Sequence, residues 1–198
     1  MSLKKLAIAI SLLLLLGGCD TKSGGEHGEK QTREYNNSIK SKQTTPKSPI
    51  IFTVETLNGK TLHIKDMPNG LEFKEFNGKA TLIVFFGYKC PPCLREIPRL
   101  NSIISKYKDL EIIAFEVQGL EADELKSFVK EKNIKYRVVE GLKYMNFISY
   151  IQQRAEWQGA IPFLIALNRK GEVEFAQVGG LFEKELEYIY KEITKDKR

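Results

Sequence analysis

The sequence predicts an α/β fold, a central mixed sheet flanked by helices, on three observations. Ala80 to Phe86 is an apolar run with no polar interruption after Thr81, which reads as a strand buried on both faces. Helical spacing begins directly behind it, and strand and helix patterns then alternate through the middle of the chain. A final antiparallel hairpin, Ile161 to Ala176 around Asn168-Arg169-Lys170-Gly171, precedes a C-terminal helix.

Lys4 and Lys5 precede the apolar segment Leu6 to Leu16, which is too short for a stable membrane anchor and reads as an export signal. Its end, Leu16-Gly17-Gly18-Cys19, resembles the lipobox of bacterial lipoproteins. That resemblance implies cleavage before Cys19 and lipidation of Cys19, which also accounts for an odd cysteine in an exported chain. Asp20 implies retention on the inner membrane. Residues 20–49 are almost devoid of apolar side chains and cannot bury enough surface to fold, so they read as a tether. Thirty such residues reach roughly 30 Å as a flexible coil. The expected organisation is a leader over 1–18, a lipidated Cys19 with its tether over 19–49, and one globular domain over 50–198.

Within the globular part, Ile51 to Leu57 and Lys60 to Ile64 flank Asn58-Gly59, the pattern of a hairpin with a two-residue turn. His63 reads as a plain strand residue. Asn77-Gly78-Lys79 turns the chain into the buried run at Ala80. From Cys93 onward Leu94, Ile97, Leu100, Ile103, Ile104 and Tyr107 recur at helical spacing. Leu110 to Val117 is a second buried strand. Ala122 to Lys132 is a helix with Leu125, Phe128 and Val129 inward, and Tyr136 to Glu140 is a short strand. Asn146 to Trp157 is a helix inserted ahead of the Pro162 strand. Phe182 to Thr194 closes the chain with Leu186, Ile189, Tyr190 and Ile193 facing the sheet.

The chemistry falls on Gly87-Tyr88-Lys89-Cys90-Pro91-Pro92-Cys93, where the buried strand hands over to a helix. Pro91 suits the first helical position, since its missing N–H is not needed there. A thiol at a helix N-terminus faces unpaired N–H groups and the positive end of the dipole, which stabilise its thiolate. Sites of this kind have thiol pKa values of about 3.5 to 7.5. Lys89 pushes the same way, while Pro92 removes one N–H that would otherwise point at Cys90. Cys93, nearly one turn on, lies within disulfide reach, so Cys90 is the exposed attacking thiol and Cys93 the buried resolving one. The pair carries the electrons itself, and no separate cofactor is expected. A zinc site would need two further ligands. Outside the pair the chain offers only Cys19, His27 and His63.

Charge excludes less than the cysteines do. The chain carries 31 Lys and Arg against 25 Asp and Glu, and loss of Lys4 and Lys5 with the leader leaves a formal +4. The basic residues are interleaved with acids along helices, without an aromatic-basic motif, so no nucleic-acid partner is expected.

Taken together, Cys-Pro-Pro-Cys, Arg95-Glu96-Ile97-Pro98, Ile161-Pro162-Phe163-Leu164-Ile165 and the Asn168 to Val173 hairpin resemble the thioredoxin superfamily over residues 50–198. More narrowly they resemble its membrane-tethered branch, the TlpA/ResA/CcmG-like thiol-disulfide oxidoreductases. The resemblance implies a thioredoxin fold with an added N-terminal hairpin and a cis Ile161-Pro162 bond beside Cys90 and Cys93. It further implies that the Ile161 backbone pairs with a substrate segment. Thioredoxins carry an acid six residues before the first Cys and a Trp directly before it; Val84 and Lys89 stand there instead. In this branch a Glu three residues after the second Cys often lies near the thiols, which makes Glu96 the candidate proton acceptor and Glu116 the runner-up. A surface ion pair of Glu96 with Arg95 or Arg99 is the competing reading.

The resemblance implies reduction of disulfides in exported proteins, apocytochrome c among them, fed by a membrane electron donor of the DsbD/CcdA type. Phe85 to Cys90 also resembles DsbA-like oxidases, which would reverse the electron flow. A peroxiredoxin would carry Thr or Ser at position 87, where this chain has Gly87. A copper or partner-binding chaperone would use the Cys pair as soft ligands.

Overall fold

A computed structural model describes residues 48–195. The leader, Cys19, His27 and the tether to residue 47 lie outside the described residues.

Two sheets form the body. The larger has the order β6-β5-β4-β7-β8, built from β4 (Ala80–Phe86), β5 (Leu110–Glu116), β6 (Arg137–Glu140), β7 (Phe163–Leu167) and β8 (Val173–Val178). Strands β4, β5 and β6 run parallel, while β7 is antiparallel to both β4 and β8. This is the expected mixed sheet, with the Ala80 run central and every one of its seven residues buried.

The alternation of side chains along β4 and β5 gives the sheet two cores. Ile83, Phe85, Ile113 and Phe115 face the N-terminal sheet together with Phe147, Ile151 and Trp157. Leu82, Val84, Phe86, Ile112 and Ala114 face the other side, among residues of α1 (Pro91–Lys106), α2 (Ala122–Glu131) and α4 (Glu183–Thr194). The helix α3 (Met145–Arg154) follows a 3-10 turn at Gly141–Tyr144 and supplies Phe147 and Ile151 to the first core. It ends sooner than its apolar pattern predicts, because Glu156 takes a positive φ of 50° and carries Trp157 back against Phe85 and Phe163. Among the described residues no helix is long and apolar enough to cross a membrane.

The N-terminal hairpin is present but larger than expected. Strands β1 (Ile51–Glu55) and β2 (Thr61–Met67) are joined by β3 (Gly70–Phe73) in a three-stranded antiparallel sheet. The β1–β2 connection is a five-residue loop, since Glu55 pairs with Thr61. Thr56, buried rather than strand-paired, uses its hydroxyl to accept the Lys60 N–H and to reach Asn58, which closes the longer loop. The two sheets meet at a glycine seam. A Cβ on Gly70 would lie 2.0 Å from the Gly171 carbonyl, and Leu71 donates its N–H to that oxygen at 2.8 Å.

Candidate active site

Cys90 caps α1. Its backbone is extended (φ −103°, ψ 101°), Pro91 and Pro92 occupy the first two helical positions, and its carbonyl accepts the Leu94 N–H at 3.0 Å. Two consecutive prolines leave Cys93 with the first free amide of the helix, and that amide points at the Cys90 Sγ from 3.3 Å. Cys90 and Cys93 are joined in a disulfide, with their Cα atoms 5.2 Å apart.

Cys90, expected to be exposed, is buried in the disulfide form, with 6% of its surface exposed against 2% for Cys93. Two segments border the pair and its flanking prolines. The peptide bond Ile161-Pro162 is cis, as the motif combination implies, and the Ile161 carbonyl lies 3.8 Å from the Cys90 Sγ. Gly179 donates its N–H to the Pro162 carbonyl at 2.8 Å, and a Cβ on Gly180 would sit 3.6 Å from the Pro92 carbonyl and 3.9 Å from the Pro162 ring. The loop between β8 and α4 therefore lies along both halves of the site.

Glu96 is on the buried side of α1, one turn beyond Cys93, and only 2% of it is exposed. The competing surface ion pair is not formed. Its Oε1 accepts the Leu181 N–H at 2.8 Å. Burial pushes its pKa above the ordinary carboxylate value, opposed by the Leu181 hydrogen bond and the positive charge of Arg99. The Tyr136 hydroxyl is pushed up in turn, by its own burial and by the Glu96 charge.

Glu116, at the end of β5, is also buried, but its oxygens are taken up by main chain. They accept the N–H groups of Gln118, Gly119 and Leu120 at 2.9, 2.9 and 3.0 Å, and that of Tyr88 at 3.4 Å. The runner-up proton acceptor is thus the anchor of the loop after β5. Gln118, which no sequence signal singled out, accepts the Lys89 N–H at 2.8 Å and fills the space over Gly87, where a Cβ would come within 2.2 Å of it. The Lys89 ammonium lies 4.9 Å over the Tyr88 ring. Val84 is buried among apolar neighbours, so the strand offers no acid at that position. His63 is a strand residue paired with Glu75 at 2.7 Å, in the N-terminal sheet.

A mixed sheet of this order, a cysteine pair at a helix N-cap and a cis proline facing it define a thioredoxin-fold thiol-disulfide oxidoreductase. The chain belongs to the AhpC/TSA family, whose profile matches residues 52–176. It is 29% identical over 161 residues to the thiol-disulfide oxidoreductase ResA of Bacillus cereus, covering 78% of this chain and 82% of the relative. Among solved structures, a thioredoxin-family thiol:disulfide interchange protein from Chlorobium tepidum superposes with a TM-score of 0.58 at 22% identity, covering 74% of this chain and 94% of the other. StoA of Bacillus subtilis superposes with a TM-score of 0.53 at 20% identity over 73% and 98% of the two chains. These structural likenesses share the fold.

Proposed function

We propose that the chain reduces disulfides of exported proteins, apocytochrome c among them, on the outer side of the bacterial inner membrane. In this reading Cys19 carries the lipid anchor, and a membrane donor of the DsbD/CcdA type returns electrons to the spent Cys90–Cys93 disulfide. The observation that carries the reading is the placement of the Cys90 sulfur at the N-cap of α1, 3.8 Å from the Ile161 carbonyl. A polypeptide strand alongside Ile161 brings its own cystine to that sulfur.

The reduced pair works in two exchanges. The Cys90 thiolate attacks one sulfur of the client disulfide; a mixed disulfide forms and the client's other sulfur leaves as a thiolate and takes a proton. The Cys93 thiol gives up its proton, for which Glu96 is the acceptor, and attacks the Cys90 sulfur. The client departs with two thiols, and two electrons have left the pair, which is now a disulfide. A free amide aimed at the Cys90 Sγ and the positive end of α1 stabilise the thiolate that begins the cycle.

The test is the reduction potential of the Cys90/Cys93 couple together with insulin reduction. A potential near or below about −230 mV supports the donor role, and one near about −120 mV replaces it with disulfide introduction. Cys90→Ser abolishes insulin reduction, and Cys93→Ser accumulates a mixed disulfide visible on a non-reducing gel. Turnover retained by Cys90→Ser overturns the assignment of the attacking sulfur.

A further inference from the structure

The loop Gly179–Phe182 borders the cysteines without contributing a reactive group, and two residues of α1 hold it in place. Leu181 is buried in the same core as Cys90 and Cys93, with 1% of its surface exposed. Both of its peptide groups are taken by side chains of the cysteine helix: its N–H by Glu96 at 2.8 Å, and its carbonyl by Arg99 Nη1 at 2.7 Å. The guanidinium is itself held under the Phe182 ring, 4.8 Å from the centroid, and Phe182 is 65% exposed.

We propose that Arg99 is a positioning residue for polypeptide clients: with Glu96 it clamps Leu181 so that Gly179 and Gly180 stay seated against Pro162 and Pro92. This rests on the reading of the site as a protein disulfide reductase. The physical need is plain from the sequence of the loop. Gly179 (φ 104°) and Gly180 carry no side chain to lock their backbone, and glycine loses more conformational freedom on ordering than any other residue. Charge-assisted hydrogen bonds to Leu181 from one rigid helix supply the restraint those residues lack. A polypeptide laid along Ile161 must pass this rim over several residues, whereas a small disulfide has far less surface to lay against it. Arg99 therefore acts on client engagement, while the effect of its charge on Glu96 is felt alike by every oxidant.

The experiment follows oxidation of the pre-reduced full chain in detergent by two oxidants, insulin and the small neutral hydroxyethyl disulfide, with alkylation and mass analysis. In Arg99→Ala the half-saturating insulin concentration rises about tenfold, the factor expected for losing one charge-assisted hydrogen bond from the competent state. Any change in its limiting rate with insulin, through the charge lost beside Glu96, is matched within about twofold by its rate with hydroxyethyl disulfide, a tolerance well inside that factor of ten. Arg99→Lys, which keeps a cationic donor, recovers most of the insulin affinity. An unchanged half-saturation with insulin, or an equal rise in half-saturation with both oxidants, overturns the clamp while the reductase reading stands. If the unmodified chain exchanges with neither oxidant, both readings fall. Should Arg99→Ala not fold, Arg99→Gln is read by the same two criteria.

Discussion

Two buried glutamates flank the cysteine loop, and they are held in opposite ways. Glu116 lies under the β4 side, where successive amides of Gln118, Gly119 and Leu120 curl around its carboxylate and Tyr88 adds a longer contact. Glu96 lies under the helix side and, among the described residues, takes a single backbone N–H, that of Leu181. A carboxylate wrapped by main-chain donors ties the loop to the strand; one buried with few donors is costly to keep charged and takes a proton more readily. The contrast supports the proposed cycle, in which Glu116 is scaffolding and Glu96 takes the proton. Burial alone does not separate the two, since both are almost fully covered.

Breaking the Glu116 side gives the larger effect. Glu116→Ala leaves buried amides without an acceptor and lowers unfolding stability by about 3 kcal/mol in a urea titration, at the lower end for removing one partner of a buried charged network. Its specific activity, corrected for the folded fraction, falls far less than that of a cysteine variant. A Glu116→Ala protein that is fully stable yet inactive would reverse the two assignments.

Glu96→Gln sharpens the contrast from the other side. The amide oxygen still accepts the Leu181 N–H, so the fold persists, while insulin reduction near neutral pH drops about a hundredfold, the low end for loss of a general acid–base group. Stability moves with a definite sign. Burial raises the Glu96 pKa in the folded chain above its unfolded value. The folded state therefore holds the proton more tightly, and the penalty for a buried charge is absent below the unfolded pKa and fully present above the folded one. Glu96→Gln is accordingly more stable than the unmodified chain at neutral pH, and the advantage shrinks as the pH falls through the raised pKa. Parallel urea titrations at neutral and acidic pH measure it.

The smallest effect is expected at His63. Its contact with Glu75 is solvent-exposed and in the N-terminal sheet, so His63→Ala changes stability by less than about 0.5 kcal/mol and leaves the insulin rate unchanged. A loss of activity there would give His63 a role that its place in the fold does not suggest.

What was legible in the chain follows from how local each cause is. The β4 run, the helix behind it and the capping cysteine are each written within a few consecutive residues, and all stand where the pattern puts them. The cis Ile161-Pro162 bond needed two motifs some seventy residues apart to be read together. Strand β3 went unread because four residues after Pro68-Asn69 carry too little alternation, and its place is secured by backbone contact with Gly171. Glu96 sits one turn after Cys93, but helical spacing left open whether it turned inward or to a surface ion pair, and only the fold shows it buried. Its partner Leu181, 85 residues away, was not legible. Gln118 and Arg99 matter through contacts that only the tertiary fold creates.

The pairing of β4 with β7, Thr81 against Leu167 through Phe85 against Phe163, sets an order of assembly. As the chain emerges from its N-terminal end, β4 meets β5 early, while the segment bearing Ile161 is made some seventy residues after Cys90. Contacts so distant in sequence are slow to close. The two sulfurs keep the local setting of the α1 N-terminus throughout, and they gain the neighbouring carbonyl of Ile161 only when the last hairpin docks. The wall beside which a client strand would lie is thus the last part of the proposed site to be built.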